Sequence, residues 1–279
     1  MLPILAGLAV LALWPNASLA AEEPPAAGLF SGHRLFQPLI ADPRWPHFSA
    51  SYQRFQGRDG PEHVGAASFG QLVNLYGAPF GGQGEWSVGV QAAVFAMFDL
   101  AAPSKDLVNA DYWVGIPFSY RRGDVSALLR LFHQSSHLGD EFLLRHRVDR
   151  VNLSYEAIDL KLSRDWSEGV RLYGGGGWLI HREPEELDPW LAQVGAEFRW
   201  PGTLANGLLR PVAGVDLQFL DENDWQADLS LRAGVELLGV ENNDYSVQIL
   251  FEYFSGRNPN GQFYTRDLEY LGLGLHVFF

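Results

Sequence analysis

The sequence predicts an all-β fold, a transmembrane up-and-down antiparallel β-barrel of about 12 strands. From His47 onward, apolar and polar residues alternate in one stretch after another. Each stretch is about 10–15 residues long, which fits tilted membrane-spanning strands better than the shorter strands of soluble sheets. In the last stretch the residues that share one face are all apolar, namely Leu271, Leu273, Leu275, Val277 and Phe279.

The N-terminal 46 residues are expected to lie outside this barrel. Residues 1–20 have the features of a signal peptide, because the apolar run Leu2–Trp14 is too short to span a bilayer and Ser18-Leu19-Ala20 fits a small-x-small cleavage site. No Lys or Arg precedes the run, so a retained N-terminal anchor is the alternative. Residues 21–46 are rich in Pro and have no clear period, and we expect them to form a separate periplasmic segment before a barrel at 47–279.

The composition excludes several other classes of protein. A formal net charge of −13 argues against a nucleic-acid surface, which needs clustered Lys and Arg. After the N-terminal run there is no stretch of 18 or more apolar residues, so the chain is not a helical membrane protein. There is no Cys, which removes disulfides and a lipid-modified Cys. These observations predict an exported protein of the bacterial outer membrane.

The alternation divides the chain into twelve predicted strands. Some connections between them are tight, as at Arg122-Gly123, and others are longer, as at 138–147 and 256–265. Tight turns at one end and longer loops at the other are typical of outer-membrane barrels. The predicted strands are 47–56, 63–76, 85–99, 108–121, 124–137, 148–164, 169–182, 190–200, 209–221, 225–238, 244–255 and 266–279.

Two polar side chains interrupt the lipid-facing side of the fifth strand. With both termini periplasmic this strand runs outward, so its end lies at the cell surface. His133 and Ser135 share a face with Leu129 and Leu131, because side chains at i and i+2 point the same way. A polar side chain on a lipid-facing surface costs free energy, so the pair suggests a site.

The sixth strand carries a second polar patch, which also lies on the predicted lipid-facing side. Asn152, Ser154 and Glu156 precede apolar residues that mark its lipid-facing side. Together the two strands predict a hydrolase triad, with Ser135 as nucleophile, His133 as general base, and Asn152 or Glu156 orienting the imidazole. A backbone N–H beside Ser135 is expected to contribute to an oxyanion hole. Membrane lipids are the esters that such a site meets.

Four resemblances extend this interpretation. The stretches LFQPLIADPRWPHFSASYQRF and HQSSHLGDEF resemble an uncharacterised bacterial outer-membrane β-barrel family, a domain of unknown function. YLGLGLHVFF resembles the C-terminal signal that the barrel assembly machinery reads, which implies that machinery as a partner. The string His133-Gln134-Ser135 resembles outer-membrane phospholipase A. The His-x-Ser pair also resembles lipid A 3-O-deacylases, in which a Glu completes the triad.

These resemblances imply different third residues and cofactors. The phospholipase family has a twelve-stranded barrel and a Ser–His–Asn triad, which implies Asn152, and it uses calcium in an active dimer. Asp140 and Glu141 are then the candidate calcium ligands. The deacylase resemblance implies Glu156 instead. The alternative class is a non-enzymatic barrel, either a narrow channel or a structural envelope protein, with its functional charges inside.

Overall fold

Twelve long strands make up most of the chain. The computed structural model describes residues 27–29, 34–56, 60–146, 148–166, 169–239 and 245–279. The predicted signal peptide lies outside the described residues. The strands are β1 Phe48–Gln56, β2 His63–Phe80, β3 Gly84–Asp99, β4 Leu107–Arg122, β5 Val125–Leu138, β6 Ser154–Asp165, β7 Val170–Glu183, β8 Trp190–Arg199, β9 Leu209–Leu220, β10 Ala227–Leu237, β11 Ser246–Arg257 and β12 Asp267–Phe278.

The strands close into a single antiparallel barrel, which confirms the predicted fold class. Each strand pairs with its neighbours in sequence, and β1 pairs with β12 from Phe48 opposite Val277 to Gln56 opposite Glu269. Closure matters because an open sheet edge in lipid would leave backbone N–H and C=O groups without partners. A further two-residue strand, Gly28–Leu29, pairs with β2.

Alternation along the strands separates an apolar outer face from a polar interior. Leu271 and Leu273 of β12 are about half exposed on the outside, at 56% and 47%. Inside, Arg130 of β5 donates from Nε to Asp159 Oδ1 of β6 at 2.9 Å. Lys161 Nζ lies 3.1 Å from the other oxygen of the same carboxylate. The interior is therefore held by ion pairs shielded from lipid, as expected for a barrel with a polar lumen.

Residues 34–47 run through the inside of the barrel, and we call them the luminal segment. Phe36, Leu39 and Trp45 are buried and pack against inward side chains that include Phe278. This position differs from the expected separate segment at 21–46. The stretch has no strand period because its side chains are enclosed by the barrel instead of alternating between two faces.

Polar contacts fix the luminal segment to the barrel wall. Arg44 Nη2 donates to Asp111 Oδ2 of β4 at 2.7 Å, and the Asp111 side chain is fully buried. Arg232 Nη1 of β10 donates to the carbonyl oxygen of Ile40 at 2.9 Å. An extended segment that is not in the sheet must find such partners for its backbone.

The two ends of the barrel differ. One end, which we call the loop end, carries the connections 100–106, 139–153, 184–189, 221–226 and 258–266. The longest of these, 139–153, contains the helix α1, Asp140–His146. Arg145 Nε donates to Asp106 Oδ2 at 2.7 Å, and this guanidinium holds the pKa of Asp106 below its usual value. Phe142 packs against Phe263 of the last loop. Among the described residues there is no helix whose length and hydropathy suit a membrane crossing.

Candidate active site

The alternation of β5 decides which of its side chains reach the outer surface. His133 and Ser135 lie on the outward face near the loop end, as the sequence predicts, and each is only partly buried. The alternate residues of β5 point into the barrel and are buried, namely Leu128, Arg130, Phe132, Gln134 and Ser136.

The imidazole of His133 has a carboxylate partner on the next strand. The register of β5 and β6 places Glu156 directly opposite His133. His133 Nδ1 and Glu156 Oε1 lie 2.7 Å apart, and both side chains are about 40% exposed, at 39% and 43%. With Nδ1 committed to the carboxylate, Nε2 is the ring nitrogen that remains for a proton transfer. A carboxylate at Nδ1 is the contact that orients the base in serine hydrolase triads.

A β-bulge brings a third polar side chain next to His133 and Glu156. In β7, His181 pairs with Glu156 and Leu179 pairs with Ala157, so Ile180 is the extra residue. A bulge shifts the side-chain alternation and re-aims the residues beyond it. His181 therefore faces outward, where its Nδ1 lies 3.0 Å from Glu156 Oε2. Sequence reasoning missed His181, because uninterrupted alternation from Arg171 and Tyr173, which are buried inside, would point it inward.

Ser135 is paired on both sides with residues that carry hydroxyl groups. Its cross-strand neighbours are Tyr112 on β4 and Ser154 on β6. Ser135 Oγ makes no hydrogen bond to any residue that the structure describes. The expected oxyanion donor is not free, because Ser136 N donates to Leu153 O at 3.0 Å within the barrel wall. The remaining donors for an oxyanion at Ser135 are the side-chain hydroxyls of its cross-strand partners, Tyr112 and Ser154.

Asn152 does not lie beside His133. The sixth strand begins at Ser154 rather than at the predicted residue 148, so Asn152 is in the loop before it. There its Nδ2 donates to Glu183 Oε2 of β7. Of the two sequence-predicted candidates for the third position, the structure brings Glu156 to the imidazole.

The whole barrel matches a single family model. The description of that family is "Protein of unknown function (DUF1207)", and the match covers residues 18–279. The chain belongs to the DUF1207 family. No curated protein matches this DUF1207 chain.

Solved structures show what fold this DUF1207 chain shares with other proteins. The outer membrane phospholipase A from Escherichia coli matches with a TM-score of 0.58 at 9% identity, over 88% of this chain and 95% of that chain. The Salmonella typhi outer membrane phospholipase dimer with bound calcium matches with a TM-score of 0.57 at 10% identity, over 83% of this chain and 91% of that chain. At these identities the likeness establishes an outer-membrane-type β-barrel fold.

The predicted calcium ligands of the DUF1207 chain do not form a calcium site. Asp140 and Glu141 are exposed in the first turn of α1. Calcium takes 6–8 oxygen ligands, usually with several carboxylates. Within the described ranges no group of three His, Cys, Asp or Glu side chains is arranged to hold a metal ion. The two adjacent carboxylates alone do not fit the group.

An apolar groove begins at His133 on the outer surface of the DUF1207 barrel. In the cross-strand register Val114 lies opposite His133, and Ala92 lies opposite Val114. The small side chain of Ala92 leaves a depression between larger neighbours, which include Phe69, Val73, Val90, Val94 and Tyr112. The groove therefore adjoins the polar side chains of His133, Glu156 and His181.

Proposed function

We propose that this outer-membrane barrel hydrolyses ester bonds of membrane lipids. Ser135 is the nucleophile, His133 the general base, and Glu156 the residue that orients the imidazole. His181 positions Glu156 from its other side. The site acts at the lipid-facing surface, near the loop end, and therefore in the outer leaflet of the bacterial outer membrane.

The observation that carries this proposal is the contact of His133 Nδ1 with Glu156. Polar groups on a lipid-facing strand surface are costly unless they are paired or functional. The pairing fixes the tautomer, because Nδ1–H donates to the carboxylate and Nε2 carries the lone pair. That lone pair is what a neighbouring hydroxyl needs in order to lose its proton.

The reaction follows from these positions. Ser135 Oγ bonds to the ester carbonyl carbon as its proton passes to His133 Nε2. The bond to the alcohol oxygen breaks, and His133 returns the proton to that oxygen. Water, deprotonated by His133, then releases the fatty acid and restores Ser135. Ser154 and Tyr112, the residues paired with Ser135 across the sheet, supply the hydroxyl donors to the oxyanion.

Two features support a lipid as the substrate. Lipids are the esters that reach an outward-facing site by lateral diffusion. The apolar groove beside His133 fits an acyl chain, which would lie over Ala92. The fold resembles that of outer membrane phospholipase A, and a Glu in the third position resembles lipid A deacylases, so phospholipid and lipid A are the two candidates.

We expect two partners for the barrel, the assembly machinery and a second copy of this chain. The strand β12, Asp267–Phe278, is read by the barrel assembly machinery. The phospholipase likeness implies a homodimer. Since Asp140 and Glu141 do not fit a calcium site, no step is routed through the ion, and we expect chelation of calcium to leave turnover unchanged.

Turnover by the full chain tests the proposal. The protein is refolded in detergent and offered phosphatidylethanolamine and lipid A, with and without a chelator, and released fatty acid is measured by mass spectrometry. We expect Ser135→Ala and His133→Ala to lower kcat by about 10³-fold or more. Ser136→Ala is the matched control, because Ser136 is the adjacent serine of the same strand but points inward.

Two results would contradict the hydrolase. One is that the folded wild-type barrel releases no fatty acid from either lipid. The other is that Ser135→Ala turns over lipid as fast as Ser136→Ala does. Either result favours the alternative of a non-enzymatic envelope barrel. Heat-modifiable migration on a gel shows whether each variant is folded.

A further inference from the structure

A second site lies inside the barrel, separate from the lipid-facing polar side chains. A cavity of about 210 Å³ opens between the loops at the loop end. Its floor includes Asp42 and Arg44 of the luminal segment. Because the luminal segment fills the barrel below this floor, a molecule that enters from the loop end stops there. The cavity is therefore shaped for binding rather than for passage.

The charged groups deep in the cavity already have partners. Asp159 accepts from Arg130 and lies within 3.1 Å of Lys161 Nζ. Arg44 is paired with Asp111, and Gln193 Nε2 donates to Asp42 Oδ2 at 3.1 Å. An anionic ligand would find no free cation among the described side chains at this depth, and burying a charge without a counter-ion is costly.

Two polar side chains of the lining, by contrast, have no partner among the described residues. The amide of Gln134 and the hydroxyl of Tyr155 make no hydrogen bond to a described residue, and both side chains line the cavity. Gln134 is only 6% exposed and lies on the inward face of β5, where it lines this enclosed space. An amide and a phenol each donate and accept, which suits a ligand that carries hydroxyl groups.

The walls and the rim restrict the ligand further. The aromatic side chains of Trp113, Phe132 and Phe254 line the cavity and make part of its wall apolar. Asp188 and Glu222 line the mouth. Pockets of this kind, largely apolar with a few converging polar groups, are typical of small-molecule sites. The carboxylates at the mouth repel anions.

We propose that this cavity binds a neutral sugar, with Gln134 and Tyr155 hydrogen-bonded to its hydroxyl groups and a ring face against the aromatic wall. A single hexose ring is of the right size for the cavity. The proposal does not depend on the hydrolase, because the two sites lie on opposite faces of β5 and β6.

Calorimetric titration of the refolded full chain tests the proposal with three probes: glucose, N-acetylglucosamine and glucuronate. We expect at least one neutral sugar to bind with a Kd of about 10 mM or tighter, and glucuronate to bind at least about tenfold more weakly because of the acidic mouth. Tyr155→Phe, which removes one hydroxyl, should weaken binding about five- to tenfold. The matched control is Tyr76→Phe, on the outer surface, which should bind as wild type does.

Three outcomes would overturn the assignment. The first is no heat of binding for either neutral sugar, and the second is glucuronate as the tightest ligand. The third is an unchanged affinity in Tyr155→Phe. If Tyr155→Phe fails to fold, Gln134→Leu tests the other unpartnered group by the same titration.

Discussion

Replacing Glu156 with Gln should reduce kcat for lipid hydrolysis by about 10⁴-fold, the loss that a wrong imidazole tautomer causes in a serine protease triad. The carboxylate of Glu156 accepts from His133 Nδ1 at 2.7 Å and leaves Nε2 as the base. The amide of a Gln donates instead, which would place the proton of the neutral ring on Nε2. The measurement is single-turnover release of fatty acid in detergent micelles.

His181 provides the control for this experiment. It contacts the other oxygen of Glu156 at 3.0 Å and is 70% exposed. His181→Ala leaves the contact between His133 and Glu156 in place, so we expect a loss much smaller than that of Glu156→Gln. A Glu156→Gln variant that keeps the wild-type kcat would show that this carboxylate does not orient a catalytic base.

Removing residues 34–46 should unblock the lumen, so that the barrel conducts ions, and should lower the thermal stability of the protein. The segment fills the interior with buried side chains such as Leu39 and Ile40. Its loss would remove this apolar packing, and each fully buried Leu or Ile side chain contributes about 1.5–3 kcal/mol. Single-barrel conductance in planar bilayers and the unfolding temperature are the measurements.

A second variant tests the same position without a deletion. The Cβ of Ala41 lies 3.1 Å from where a Cβ at Gly214 would stand. Bridged Cys pairs have Cβ atoms about 3.5–4.5 Å apart, so a small adjustment suffices. Because the chain contains no Cys, the double variant A41C/G214C should form one internal disulfide. Two results would show that this segment does not fill the lumen. One is a deletion variant that conducts no more ions than the wild type, and the other is free thiols in the folded double variant.

Strand alternation made most of the barrel predictable from the sequence. Its period of two specified the number of strands and the outward position of His133 and Ser135. The luminal segment was not predictable in the same way, because residues enclosed on all sides follow no period. Its Pro-rich sequence indicated a separate periplasmic segment instead.

The candidate site was predictable only in part, for reasons of local geometry. The expected sixth strand began at residue 148, and that boundary placed Asn152 opposite His133 and Ser135. The observed start at Ser154 removes Asn152 from the sheet and leaves Glu156 as the partner. His181 was missed because a bulge at Ile180 inverts the alternation, and a bulge that no Gly marks leaves no signal in the sequence.

Covalent trapping with a serine-reactive reagent shows whether Ser135 is an activated nucleophile. A fluorophosphonate bonds to an activated serine Oγ and loses fluoride, so peptide mass spectrometry of the treated, folded barrel identifies the residue. The account predicts an adduct on Ser135 that is absent in His133→Ala and retained in Ser136→Ala. The absence of any adduct, or an adduct on Ser154 in place of Ser135, would contradict it.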